Sequence, residues 1–179
     1  MTAIVGLVDK GTVYIGGDSA GVEGLSITVR ADAKVFRNGP YAMGFTTSFR
    51  MGQLLRYGLT PPRVPGDPRK LEAFMVSEFI PAVRDVLKAG GWATKDKERE
   101  AGGRFLVGVS GRLFMIDYDL HVAEAAIGYD AVGCGTDAAL GALFASGHIR
   151  NPRNRVRQAL RAAERFSAGV RGPFKVVST

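Results

Sequence analysis

The chain has 179 residues, 46% of them hydrophobic and 23% charged, which suits one globular domain, over 1–179, with a sizeable core. It carries a net charge of +7, and its basic residues gather late, at Arg150, Arg153, Arg155, Arg157, Arg161 and Arg165. No aromatic residues are interleaved there to stack bases, so a solvated helix face is the better reading and a nucleic-acid partner is not expected.

In chain order, 3–9 (AIVGLVD) and 12–17 (TVYIGG) are apolar runs around a Lys10-Gly11 turn signal. They predict an antiparallel hairpin buried on both faces. Residues 18–24 predict a small-residue loop, 25–30 and 33–37 two short strands, Asn38-Gly39-Pro40 a turn, and 41–47 another strand. Ser48 is placed to cap a helix over 49–58. The four prolines of 60–68 predict a loop, and 69–89 a long helix that Pro81 should kink or split. The segment 92–102 is highly charged and expected to be exposed. Strands follow at 104–109 and 112–117 around Ser110-Gly111, then a β stretch at 121–133, helices at 136–147 and 152–168, and a closing strand at 174–178. Two β-rich groups, each followed by two helices, suggest two sheets face to face with helices outside.

No stretch approaches the roughly 20 apolar residues of a membrane span. The N-terminus lacks the basic start and apolar core of a secretory signal. A single cysteine, Cys134, fits a reducing cytoplasm. No Cys/His cluster has metal-ligand spacing, and no metal or cofactor is expected. The Gly-Gly-Asp-Ser segment at 16–19 is not a phosphate loop, because no Gly-Lys-Ser/Thr follows.

The chemistry lies at the beginning. Residue 2 is threonine, with Asp18 and Lys34 following at intervals of sixteen. Removal of Met1 would put a hydroxyl and a free α-amine on one residue, a nucleophile carrying its own base. An α-amine titrates at roughly 7.7–8.0 and can take the hydroxyl proton. A nearby lysine ammonium favours the neutral amine, and an aspartate would orient that lysine. Singly, each residue has an ordinary explanation: a threonine after Met, a turn aspartate, a surface lysine. Together they point to an amide-bond hydrolase.

The segment MTAIVGLVDKGTVYIGGDSAG resembles the start of proteasome β-subunits and of the bacterial HslV peptidase, which are N-terminal-nucleophile hydrolases. The resemblance implies an α+β fold, a four-layer αββα sandwich of two antiparallel sheets with helices outside. It maps the nucleophile onto Thr2, its partners onto Asp18 and Lys34, and the oxyanion-hole glycine onto Gly44. Gly44 alone would be read as a close-packing strand glycine. The family's Gly-Ser-Gly turn appears as Gly133-Cys134-Gly135, so Cys134 replaces a serine that touches the terminal amine. The family's Asp-x-x-Ser-Gly-Gly appears as Glu164-Arg165-Phe166-Ser167-Ala168-Gly169, matching Ser167 and lengthening the acid to Glu164.

The resemblance implies a threonine peptidase acting on peptides or unfolded protein inside a homo-oligomeric ring, and relatives work with a ring ATPase that no residue here reveals. The apolar faces of 49–58 and 69–89 suit ring contacts or, better, the core. Two other readings stay open: an amidohydrolase of small amides, and a non-catalytic structural subunit that keeps Met1.

Overall fold

The computed structural model describes residues 1–96 and 99–179. Strands β1 (Ala3–Asp9) and β2 (Thr12–Gly17) form the expected hairpin. Lys10 and Gly11 have φ of 47° and 76°, the positive pair that a two-residue turn needs to follow the twist of its strands. The predicted loop after β2 is instead strand β3 (Ala20–Glu23), paired with β4 (Ser26–Val29) in a separate two-stranded hairpin. β5 (Val35–Asn38) and β6 (Tyr41–Phe45) follow.

Ser48 caps α1 (Phe49–Gln53), its hydroxyl accepting from the N–H groups of Arg50 and Met51. The helix continues as a π-helical turn over Leu54–Gly58. After a 3₁₀ turn (Pro68–Lys70), the long helix is built of α2 (Leu71–Phe74), a π-helical stretch (Met75–Phe79) and α3 (Ile80–Ala89). Pro81 has no N–H for the carbonyl four residues back, and Ile80 donates to Met75, five back. The proline therefore changes the hydrogen-bond register rather than ending the helix.

The segment 92–102 is not uniformly exposed. Trp92 is half-buried and donates its indole N–H to Gly102 O at 2.6 Å, and Gly102 is buried. The segment holds β7 (Thr94–Asp96) and β8 (Arg99–Ala101), while Lys97 and Glu98 lie outside the described residues.

β9 (Phe105–Val109) and β10 (Arg112–Ile116) form a second hairpin, turning at Ser110 and Gly111 with φ of 48° and 74°. The 121–133 stretch is two strands, β11 (Val122–Glu124) and β12 (Tyr129–Gly133), in different sheets. α4 (Thr136–Ala145), α5 (Pro152–Phe166) and β13 (Lys175–Ser178) complete the chain. Asn151 caps α5, accepting from Asn154 N–H, with Pro152 in its first turn.

The two main sheets are antiparallel, in the orders β12-β1-β2-β13 and β11-β10-β9-β6-β5. Each draws strands from both β-rich halves of the chain. Between them lie Ile4, Val13 and Ile15 from one sheet and Val35, Ala42 and Leu106 from the other. Opposite faces carry separate cores. Ala3, Val5 and Leu7 meet Leu143, Val156 and Leu160 of α4 and α5. Phe36, Met43 and Phe45 meet Met51, Phe79 and Val83 from the other helices, so those helices spend their apolar faces on the core. β1 thus serves two cores by its period of two, which is why its sequence hardly alternates.

Candidate active site

The first hairpin brings the N-terminus and Asp18 together. Ile4 pairs with Gly17, and Asp18 N–H donates to Ala3 O at 3.2 Å. Lys34 enters from just before β5, its carbonyl accepting Phe45 N–H at 3.1 Å. Lys34 Nζ donates to Thr2 Oγ1 at 2.9 Å and to Asp18 Oδ1 at 2.8 Å. All three residues are buried, Thr2 to 5%, Asp18 to 1% and Lys34 to 2% relative exposure.

Burial of these charges is matched by donors. Asp18 Oδ1 also accepts Ala3 N–H at 3.1 Å, and Oδ2 accepts Ala20 N–H at 2.9 Å and Arg171 N–H at 3.3 Å. With the lysine, four donors converge on one carboxylate, which holds it as a rigid anion. Burial lowers the Lys34 pKa below the ordinary lysine value, opposed by the charge and hydrogen bond of Asp18. The Thr2 hydroxyl accepts from the ammonium and donates to Met1 O at 2.5 Å.

Cys134 follows β12 and reaches Thr2, and Ser167, which follows α5, reaches Cys134. Thr2 N–H donates to Cys134 Sγ at 3.2 Å, the thiol donates to Thr2 O at 3.4 Å, and Ser167 Oγ donates to Cys134 Sγ at 3.2 Å. The sulfur therefore acts mainly as an acceptor, a role in which losing the serine hydroxyl matters less than for donation. Glu164 stands one step back. Its carboxylate accepts Gly172 N–H at 2.9 Å and so holds the loop that carries Arg171.

Gly44 is not brought to the site by its amide. Successive N–H groups on a strand face alternate neighbours. Phe45 N–H faces Lys34 on the β5 side and Thr46 N–H reaches Arg104 O on the β9 side, so Gly44 N–H also faces β9. Its missing side chain serves packing, since a Cβ there would lie 2.5 Å from Ile4 Cγ2 and 2.8 Å from Ile15 Cγ2.

What the sequence did not disclose is the wall opposite Thr2. A cleft of about 100 Å³ is bounded by Thr2, Lys34, Val22, Phe45, Thr47 and Phe49, among others. Ser48 caps the helix as expected, and the strand end before it is in addition a strained γ-turn, with Ser48 N–H donating to Thr46 O at 2.7 Å across Thr47 at φ 67°. A β-branched residue resists that conformation, and no local signal announces it. Among the described residues Thr47 N–H has no hydrogen-bond partner, whereas Phe45, Thr46 and Ser48 N–H are all engaged. The Thr47 hydroxyl accepts Arg104 N–H at 3.1 Å, which anchors the turn.

Among the described residues, no group of His, Cys, Asp and Glu could hold a metal ion, and no helix is long and apolar enough to cross a membrane.

This mixed fold of antiparallel sheets and helices resembles that of HslV and of the proteasome-like BPH. The chain is similar to Thiobacillus denitrificans BPH, with a TM-score of 0.78 at 19% identity over 99% of this chain and 97% of that one. BPH in complex with epoxomicin gives a TM-score of 0.72 at 16% identity, over 99% and 97%. HslV from Trypanosoma brucei gives 0.68 at 20% identity, over 98% of each chain. By sequence, no family model matches, and no curated protein matches at a significant level.

Proposed function

We propose that the protein is a threonine peptidase, in a four-layer αββα arrangement, that uses Thr2 after removal of Met1. The observation that carries this reading is the buried contact of Lys34 Nζ with both Thr2 Oγ1, at 2.9 Å, and Asp18, at 2.8 Å. A surface threonine has no use for a buried ammonium, whereas a developing alkoxide does.

In the processed chain the Thr2 hydroxyl attacks the scissile carbonyl and its proton passes to the α-amine. The amine occupies the position of the N–H that now meets Cys134, and the thiol and Ser167 orient it. Thr47 N–H is the open donor on the cleft wall and takes the oxyanion role that sequence reading gave to Gly44. The C–N bond breaks as the leaving amine takes the proton, leaving an ester on Thr2. Water, deprotonated by the same amine, then releases the acid and restores the hydroxyl.

BPH is known in complex with epoxomicin, and that compound is the probe here. Incubation of the purified protein, followed by intact and peptide mass spectrometry, is expected to show Met1 absent and one adduct on Thr2. Retained Met1 with no adduct overturns the reading. A homo-oligomeric ring in the cytoplasm, acting on peptides or unfolded protein, with or without a ring ATPase, completes the proposal, and its assembly is read by mass photometry.

A further inference from the structure

We infer that the recess beside Thr2 selects a substrate with an acidic side chain, glutamate in particular, on the residue whose carbonyl is attacked. The inference rests on the peptidase reading above and specifies its substrate.

Phe45 and Phe49 line both the Thr2 cleft and a neighbouring recess of about 110 Å³, whose other walls include Asp32, Ala33, Arg56 and Tyr57. A side chain on the acyl residue bound at Thr2 has this recess next to it.

Charge decides between an apolar and an acidic occupant. The Asp32 carboxylate is already satisfied, held by Arg30 through two hydrogen bonds of 2.8 Å. Arg30 in turn lies 4.1 Å over the Phe49 ring. Arg56 is different. It is half-buried, its guanidinium faces only the rings of Phe36 at 5.8 Å and Tyr57 at 5.1 Å, and among the described residues it meets no carboxylate. A guanidinium fork with aromatic neighbours and no anion is matched by a carboxylate on an apolar stem. The net charge of +7 favours arrival of acidic peptides.

The test uses fluorogenic peptide amides that differ only at that residue, with glutamate, glutamine, leucine and lysine. The wild-type protein is expected to prefer glutamate over glutamine by about 10- to 100-fold in kcat/KM. Arg56→Gln should bring that ratio to about one, and Arg56→Lys should keep part of it. Binding of the same peptides to the Thr2→Ala protein, read by fluorescence anisotropy, should show the same order without turnover. Equal rates and equal binding for glutamate and glutamine overturn the acidic recess and leave the peptidase reading intact. No epoxomicin adduct and no turnover of any peptide overturn both.

Discussion

Lys34 and Asp18 form an ion pair of 2.8 Å whose side chains are 1% and 0% exposed. Asp18→Asn leaves the lysine charge buried without its counter-ion. The expected cost is roughly 3–5 kcal/mol of stability, read by urea denaturation. An unchanged midpoint would mean that the pair contributes little to the fold.

The same pair sets a pH dependence. Burial lowers the Lys34 pKa in the folded protein, against roughly 10.4 for an unfolded lysine. Between those two values the unfolded chain binds the extra proton, so stability rises with pH across that window and the gain is lost as pH falls through the folded pKa. The proposed peptidase activity, for which the ammonium must stay charged, should fall as pH rises across the same window. Lys34→Met should flatten this part of the stability profile.

Thr2→Ala should reduce peptide hydrolysis to background while the circular dichroism spectrum and melting temperature stay close to wild type. Lys34→Ala should cost about 10²–10⁴-fold in kcat. Wild-type rates in Thr2→Ala would assign the chemistry to another residue.

Cys134 accepts from Thr2 N–H and from Ser167. Cys134→Ser keeps an acceptor at that place and should keep most of the activity. Cys134→Ala removes it and should lower kcat about 2- to 10-fold, the worth of one ordinary hydrogen bond, with the acid limb of the pH–rate profile displaced because the amine has lost a partner.

The γ-turn at Thr47 and the packing glycine at 44 separate two candidate oxyanion donors. Thr47→Gly suits a positive φ but gives up the hydroxyl's bond to Arg104 N–H, so it should leave stability within about 1 kcal/mol of wild type and keep activity. Thr47→Pro removes the N–H and cannot take this φ, and should lower kcat by about 10²–10³-fold. Gly44→Ala should cost roughly 1–3 kcal/mol through overpacking against Ile4 and Ile15.

The sequence makes the hairpins legible because their turns are encoded in two residues each, Lys10-Gly11 and Ser110-Gly111. It makes Thr2, Asp18 and Lys34 legible because each stands beside a strand end whose position the apolar runs define. Gly44 was misleading as a donor. A glycine in a strand announces close approach, but the direction of its amide depends on strand register, which local sequence does not carry. Thr47 was invisible for the opposite reason: its conformation is imposed by neighbours, with Arg104 on its hydroxyl and Ser48 closing the turn. The π-helical stretches at Leu54–Gly58 and Met75–Phe79 likewise keep the apolar spacing of an ordinary helix.

Asp18 is gripped by Ala3, Ala20 and Arg171, the last of them 153 positions further along the chain. A chain in which the loop carrying Arg171 has not yet docked therefore has the aspartate but not its complete cradle. The surroundings of Thr2 are completed by a contact between distant parts of the sequence, so local folding of the first hairpin alone does not assemble them.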